Sequence, residues 1–258
     1  MLKLCLALAL SLAGISQQTA ARPAFEVASV KPNDSGLRGY SLPPPKGGRY
    51  TATNVSLRSL ILYAYHLQDE QLIGTNGWML SVPYDVEAKA EGSPAEPRVR
   101  LMLQVLLEDR FKLKMHPEQR QLSIYTLRVA KKGLQMQRSN VDCATVAPTV
   151  PCGGFQLFQR RQLTGRNVPM DELVDVLSTL SGRIVADKSG LSGNYDIKLE
   201  WNPEQNLAFS AEAGVAAPDA PQGSLFTALE EQLGLRLQSE KGSVPVFVID
   251  TAEKPAQN

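Results

Sequence analysis

The chain has 258 residues, of which 43% are hydrophobic, so it is long enough to bury one large core or two small ones. Its formal net charge is +1, and its densest basic cluster is the short run Lys131-Lys132. A nucleic-acid interface needs a basic patch or stripe, so we expect no nucleic-acid partner.

The N-terminus has the layout of a secretory signal peptide over residues 1–21. Lys3 precedes an apolar run at 4–15, and small residues follow at 19–21. The run is too short for a membrane-spanning helix, which needs about 20 apolar residues. Cys5 lies at the start of the run and not beside the cleavage site, which argues against a lipid anchor. We therefore predict an exported protein, periplasmic or extracellular, without a membrane span after signal cleavage.

Two cysteines, Cys143 and Cys152, remain after the signal. In an exported protein, an isolated close pair of cysteines favours a disulfide. A metal site is the alternative, but zinc takes about four ligands and neither cysteine has a histidine nearby. We expect a disulfide, no metal and no cofactor.

The segment 25–132 predicts an α+β unit. The stretches "FEVASVKP" and "RYTATNV" suggest strands, the first by alternating apolar and polar residues. Leu57 and Leu60 begin a helical apolar stripe that Ser56 would cap. A second helix is predicted to begin near Pro97. The stretch "FKLKMHPEQRQLSIYTLRV" alternates as strands do, and we predict two strands joined by a turn at "HPEQ".

A second α+β unit is predicted over 156–254, after a linker at 133–155 that lacks periodicity and carries the disulfide. Its first helix is predicted to have Pro169 in its first turn and to end near Gly182, and the stretch "YDIKLEW" predicts a strand. The stretch "LRLQSEKGSVPVFVIDTAEKP" is predicted as a closing hairpin. An Ala-, Pro- and Gly-rich insert at about 202–223 is predicted as a mobile loop.

Matching phrases recur in the same order in the two units. "NVSLRSL" begins at Asn54 and "NVPMDEL" at Asn167, while "YDVEAKA" begins at Tyr84 and "YDIKLEW" at Tyr195. We predict an internal duplication: an α+β fold of two similar units, with mixed or antiparallel sheets, each packed by two helices. The alternative is two α+β segments that converged on similar patterns.

Motifs that would identify a reaction are missing. The chain has two histidines, His66 and His116, and it contains neither HExxH nor a G-x-S-x-G elbow, a P-loop or GxGxxG. The stretch "DKSG" at Asp187 resembles a phosphorylation motif, but its context predicts a turn. We therefore predict no catalytic residues.

The candidate binding residues are Tyr65, His66 and Trp78. They follow the stripe of the first predicted helix and have no close counterparts in the second unit. Aromatic residues are enriched at binding surfaces, but core packing is the more common role for such a set.

Several stretches together resemble a large paralogous family of secreted acidobacterial proteins of unknown function, a Solibacter-type domain. They include "GGRYTATNVSLRSLILYAYHL", "LLEDRFKLKMH" and "DKSGLSGNYDIKLEW". The domain is similar to the extracellular tail of some BlaR-type peptidase regulators, and each half loosely resembles the short N-terminal domains of secretins and TonB-dependent receptors. The resemblance implies no catalytic residues, because the family has none established.

These observations favour a non-enzymatic binding module of the cell envelope or extracellular space, with a protein or envelope component as partner. One alternative is a hydrolase of envelope material. Another is a sensor or inhibitor domain that works with a separate peptidase.

Overall fold

The computed structural model describes residues 22–36, 38–146, 152–158, 162–202 and 224–255. The predicted signal peptide, and the predicted insert except for Asn202, lie outside these ranges. Within them the chain has an α+β fold with antiparallel and mixed sheets, as predicted. No helix in the described ranges is long and apolar enough to cross a membrane.

The described part of the first half combines strands with helices. In chain order they are β1 (Val27–Pro32), β2 (Arg49–Ser56), α1 (Leu57–Tyr65), β3 (Leu72–Ile73), α2 (Gly77–Ser81), β4 (Pro83–Lys89), α3 (Glu96–Phe111) and β5 (Lys114–Val129).

The described part of the second half also combines strands with helices. Its described elements are β6 (Gln137–Arg138), β7 (Phe155–Phe158), β8 (Gln162–Pro169), α4 (Met170–Ser181), β9 (Val185–Asp187), β10 (Asn194–Glu200), α5 (Leu225–Ala228), which continues as a π-helical turn at Leu229–Leu233, and β11 (Leu235–Thr251).

Each half builds an antiparallel sheet of its own. The strand order is β1-β4-β2 in the first and β6-β10-β8-β7 in the second. Helix α1 begins where predicted, because the Ser56 side chain accepts a hydrogen bond from the Ser59 N–H at 3.1 Å. The short strand β6 lies inside the segment predicted as a linker, where it pairs with β10.

A third sheet, in the order β3-β11-β5-β9, joins the halves. Strands β5 and β11 pair antiparallel from Leu235 opposite Val129 to Thr251 opposite Lys114. At its outer edges, β3 of the first half pairs in parallel with β11, and β9 of the second half pairs in parallel with β5. Each half therefore supplies an edge strand to the long strand of the other half.

Two predicted turns are wrong. The stretch "HPEQ" lies inside the continuous strand β5, and the predicted closing hairpin is the single strand β11. At Pro117, β11 is the only described strand that lies beside β5, so this part of β5 is a sheet edge. Proline is tolerated at sheet edges. Gly242 serves close packing instead of a turn, because a Cβ at this position would lie 2.4 Å from Cδ1 of Ile124.

Two large hydrophobic clusters form the core. The first gathers α1, α3 and the first sheet around Leu60, and the second gathers α4, α5 and the second sheet around Leu173. Phe247 of β11 packs on the first cluster and Tyr125 of β5 on the second. The long strands therefore tie the two clusters together.

The predicted disulfide between Cys143 and Cys152 is confirmed, with the two Cα atoms 5.5 Å apart. It lies beside the second sheet, where the Asn167 side-chain amide approaches the Cys143 sulfur at 3.3 Å. The strand orders of the two separate sheets correspond in part, since β4 and β10 each lie between two strands. A common origin of the halves stays a prediction.

Candidate functional site

The candidate site begins at His66, where helix α1 ends. His66 adopts a left-handed backbone with a φ of 54°, and its N–H lies 3.3 Å from the Tyr63 carbonyl oxygen. Its ring meets α4 of the other half, where Nε2 lies 2.6 Å from Oδ2 of Asp175. The residue that ends a helix in one half therefore contacts a helix of the other half.

Arg100 of α3 contacts the second ring nitrogen of His66, Nδ1. A guanidinium group only donates hydrogen bonds, so Nδ1 accepts, and we assign the remaining ring proton to Nε2. The Nε2–H group then donates to Asp175. The result is a chain of hydrogen bonds that runs from Arg100 through His66 to Asp175, and it occupies both ring nitrogens.

Glu96 holds Arg100 in place from one helical turn before it. Its Oε1 atom accepts from Nη2 of Arg100 at 2.8 Å and from Nε at 3.2 Å. The same oxygen accepts from the Tyr63 hydroxyl at 3.1 Å, and Arg100 lies 5.1 Å from the centre of the Tyr63 ring. Burial, followed by the Glu96 charge, raises the pKa of Tyr63 to about 12, so its hydroxyl keeps its proton for this bond.

Tyr50 lies behind this network. It is fully buried, and its ring stacks on Tyr63 with a centroid distance of 5.6 Å. Its hydroxyl has no hydrogen-bond partner in the described part of the chain. Burial, with Tyr63 and Glu96 as further causes, raises the pKa of Tyr50. The network is therefore anchored on the first core.

These side chains border a cleft of about 450 Å³ between α1 and α3 of the first half and α4 of the second, a volume in the range of small-ligand pockets. Leu101 keeps 48% of its surface exposed there. The lining residues are Ala64, Tyr65, His66, Glu96, Pro97, Arg100, Leu101, Gln104, Glu172 and Asp175.

Carboxylates outnumber cations in the lining. Glu96 is paired with Arg100, whereas Glu172 and Asp175 have no Lys or Arg partner within the described residues. Burial first, then the charges of Asp175 and Asp171, raises the pKa of Glu172. A cation in the cleft would offset this crowding of negative charge.

The structure brings together two of the three predicted binding residues. Tyr65 and His66 both line the cleft, and the Tyr65 ring also packs 5.7 Å from the Phe247 ring. Trp78 lies on α2, is half-buried against the first core and does not line the cleft. Within its stretch "QLIGTNGWM", only Leu72–Ile73 forms a strand.

The sequence did not reveal the other members of the site. Glu96 and Arg100 are four residues apart, a spacing typical of an ion pair on one helix. Neither Glu172 nor Asp175 was predicted as a site residue. No local pattern joins Asp175 to His66, because 109 residues separate them.

A second depression, also about 450 Å³, lies on the second sheet between β7, β8 and β10. It is lined by Gln156, Thr164, Gly165, Arg166, Asp196, Ile197 and Lys198. Asp196 is already engaged there, because its Oδ1 accepts from the Asn167 N–H at 2.9 Å. We regard the cleft at His66 as the better candidate, since its polar groups converge from both halves.

His116, the other histidine, lies on β5 away from the cleft. Its Nδ1 is 2.8 Å from Oδ1 of Asp250, and its Nε2 is 3.2 Å from Oε1 of Glu118. The described residues contain no group of three or more His, Cys, Asp or Glu side chains that could hold a metal ion.

Comparison with known protein families assigns the chain to one of them. A family described as "Protein of unknown function (DUF3738)" matches residues 58–252, and the chain belongs to this family. The match includes both sides of the cleft, from His66 to Asp175. No curated protein and no solved structure matches the chain.

Proposed function

We propose that this protein is an exported binding module, and that its cleft at His66 receives a basic side chain of a protein partner. The observation that carries the proposal is the convergence of polar groups from both halves beside the exposed Leu101. Export rests on the signal-peptide pattern at 1–21. The resemblance to extracellular tails of BlaR-type regulators fits a module that contacts another protein.

The charges of the cleft favour a cationic group. Arg100 already shares its charge with Glu96, and His66 is hydrogen-bonded to Asp175. Among the described residues, no lysine or arginine forms an ion pair with Glu172, which lines the cleft. A lysine or arginine side chain would neutralise it, while its aliphatic stem could lie along Leu101 and Pro97.

The arrangement of His66 favours binding over hydrolysis. A general base needs a free ring nitrogen within hydrogen-bond reach of the proton that it takes. Both nitrogens of His66 are occupied, one by Arg100 and the other by Asp175. The lining residues also include no serine, threonine or cysteine to act as a nucleophile.

Selection from a random peptide library tests this proposal. Purified mature protein should enrich peptides that carry lysine or arginine next to an apolar residue. The Glu172→Gln variant should bind them about tenfold more weakly, because a charged partner is lost. Glu70→Gln removes an equal charge from an exposed residue outside the cleft and should bind them as wild type does. Enrichment of acidic peptides, or equal binding by the two variants, would reject the proposal.

A further inference from the structure

Two arginines lie directly opposite each other on the central sheet. Arg128 of β5 is the register partner of Arg236 of β11. Side chains in such pairs begin about 5 Å apart, and like charges in this position repel. A fold keeps such a pair without penalty only where negative charge compensates it.

The compensation within the described residues is incomplete. The Nε atoms of both arginines are buried and have no hydrogen-bond partner there. Glu240 is the neighbouring carboxylate, and Lys188 binds it at 2.5 Å while Nη2 of Arg128 lies 3.6 Å away. Arg236 makes no ion pair with any described residue. Arg128 and Lys188 therefore share one carboxylate, and Arg236 has none among the described residues.

No described helix contributes a hydrophobic residue to the small cluster on the face that carries these residues. Ile124, Val244 and Val246 are buried on it, and the hydrophobic residues packed with them come from the central sheet or directly precede β9. Both large cores contact other residues of β5 and β11, such as Tyr125 and Phe247, whose side chains alternate with those of the arginine face. The Nε atoms are buried, but both arginine residues remain partly exposed on this face.

We propose that Arg128, Arg236 and Lys188 form a binding site for a phosphate-type oxyanion. A guanidinium group presents a planar set of N–H donors that matches the oxygens of phosphate. Lys188 adds a point charge at the edge of the site. The ligand supplies the negative charge that the cross-strand pair lacks. This site is independent of the cleft at His66.

Two variants should change the affinity in opposite directions. Inorganic phosphate, titrated calorimetrically at constant ionic strength, should bind the wild type and bind Arg236→Gln about tenfold more weakly. Glu240→Gln should bind phosphate more tightly than wild type, because it releases Arg128 and Lys188 from their carboxylate. Lys198→Gln removes an equal charge from an exposed residue of β10 and should leave the affinity unchanged.

Thermal unfolding separates binding from a structural role. In phosphate-free buffer, Arg236→Gln should unfold at the wild-type temperature or above, because repulsion is relieved. Added phosphate should raise the unfolding temperature of wild type more than that of the variant. Vesicles of phosphatidylglycerol, compared with phosphatidylcholine, distinguish a lipid headgroup from free phosphate as the ligand. The proposal would be overturned if the wild type binds neither phosphate nor phosphatidylglycerol vesicles. It would also be overturned if Arg236→Gln and Lys198→Gln bind phosphate with equal affinity.

Discussion

The backbone N–H of Asn54 donates a hydrogen bond to Oδ1 of Asp85 at 2.9 Å. Asn54 has a φ of 58°, a left-handed conformation that asparagine tolerates better than most residues. The pairing of β2 with β4 shifts register between Ala52 and Val55, so the Asn54 N–H is freed from the regular ladder. The Asp85 carboxylate gives this N–H its partner.

The second half contains the same arrangement. Asn167 has a φ of 53°, and its N–H donates to Oδ1 of Asp196 at 2.9 Å. In both halves the aspartate follows a buried tyrosine, Tyr84 or Tyr195. The recurring Asn-Val and Tyr-Asp phrases therefore mark one type of strand irregularity in the two halves.

Removal of either aspartate should destabilise the fold. We expect Asp85→Ala and Asp196→Ala each to lower the free energy of unfolding by about 1–3 kcal/mol, because a backbone donor loses a charged acceptor. Asp85→Ala should lower the free energy of unfolding more than Asp196→Ala, because Asp85 also accepts a hydrogen bond from the Asn33 side chain at 2.7 Å. Urea unfolding measures both, with the exposed Asp69→Ala as control. Wild-type stability of both variants would contradict this role.

The sequence predicted the local elements but not how they associate. The apolar stripe of α1 placed Leu60 in the core, where it is buried. The exchange of β3 and β9 between the halves was not predicted, because pairing between distant strands leaves no local pattern. The predicted turn at "HPEQ" is wrong, because the stretch lies inside β5. Proline favours turns, but it is also tolerated at a sheet edge, which is where Pro117 lies.

The candidate site was predicted only where it lies next to a helix end. His66 and Tyr65 were found because they follow the α1 stripe. Arg100 and Asp175 join them through α3 and α4, whose relative position depends on the central sheet. This position is a property of the tertiary fold, so inspection of α3 or α4 alone could not reveal it.

The disulfide should stabilise the protein modestly. Replacement of Cys143 and Cys152 by serine should lower the free energy of unfolding by about 2–3 kcal/mol, as expected for a short loop. The bond closes a separation of nine residues outside both large cores, so both halves should still fold. Calorimetric unfolding of the oxidised wild type and the double variant measures the difference. A double variant that fails to fold would show that the bond does more than close this loop.

Trp78 should contribute to stability and not to binding in the cleft. It is half-buried against the first core, so Trp78→Ala should cost about 2 kcal/mol, less than the 3–5 kcal/mol of a fully buried aromatic residue. Peptides selected on the wild-type cleft should bind the variant equally well. Lost peptide binding at unchanged stability would instead make Trp78 a binding residue.

His116 should make stability depend on pH. Hydrogen bonds to Glu118, and then to Asp250, raise the pKa of His116 in the folded protein. Because the pKa is raised in the folded protein, His116 stabilises the fold fully at a pH below its pKa in the unfolded chain, about 6.5. This stabilisation is lost as the pH rises through its pKa in the folded protein. The stability difference between wild type and His116→Gln should therefore shrink as the pH rises from about 5.5 to 9 in urea unfolding experiments. Parallel pH profiles of the two proteins would exclude this contribution.

Site-directed photo-cross-linking in the native host tests the central proposal, a protein partner at the His66 cleft, most directly. A benzophenone amino acid at Leu101 places the reactive group at the cleft, and the same group at Leu80, 54% exposed on α2, is the matched control. We predict that Leu101 gives a discrete cross-linked protein, that Glu172→Gln reduces its yield, and that Leu80 does not give it. The same product from both positions, or no product from Leu101, would contradict the account.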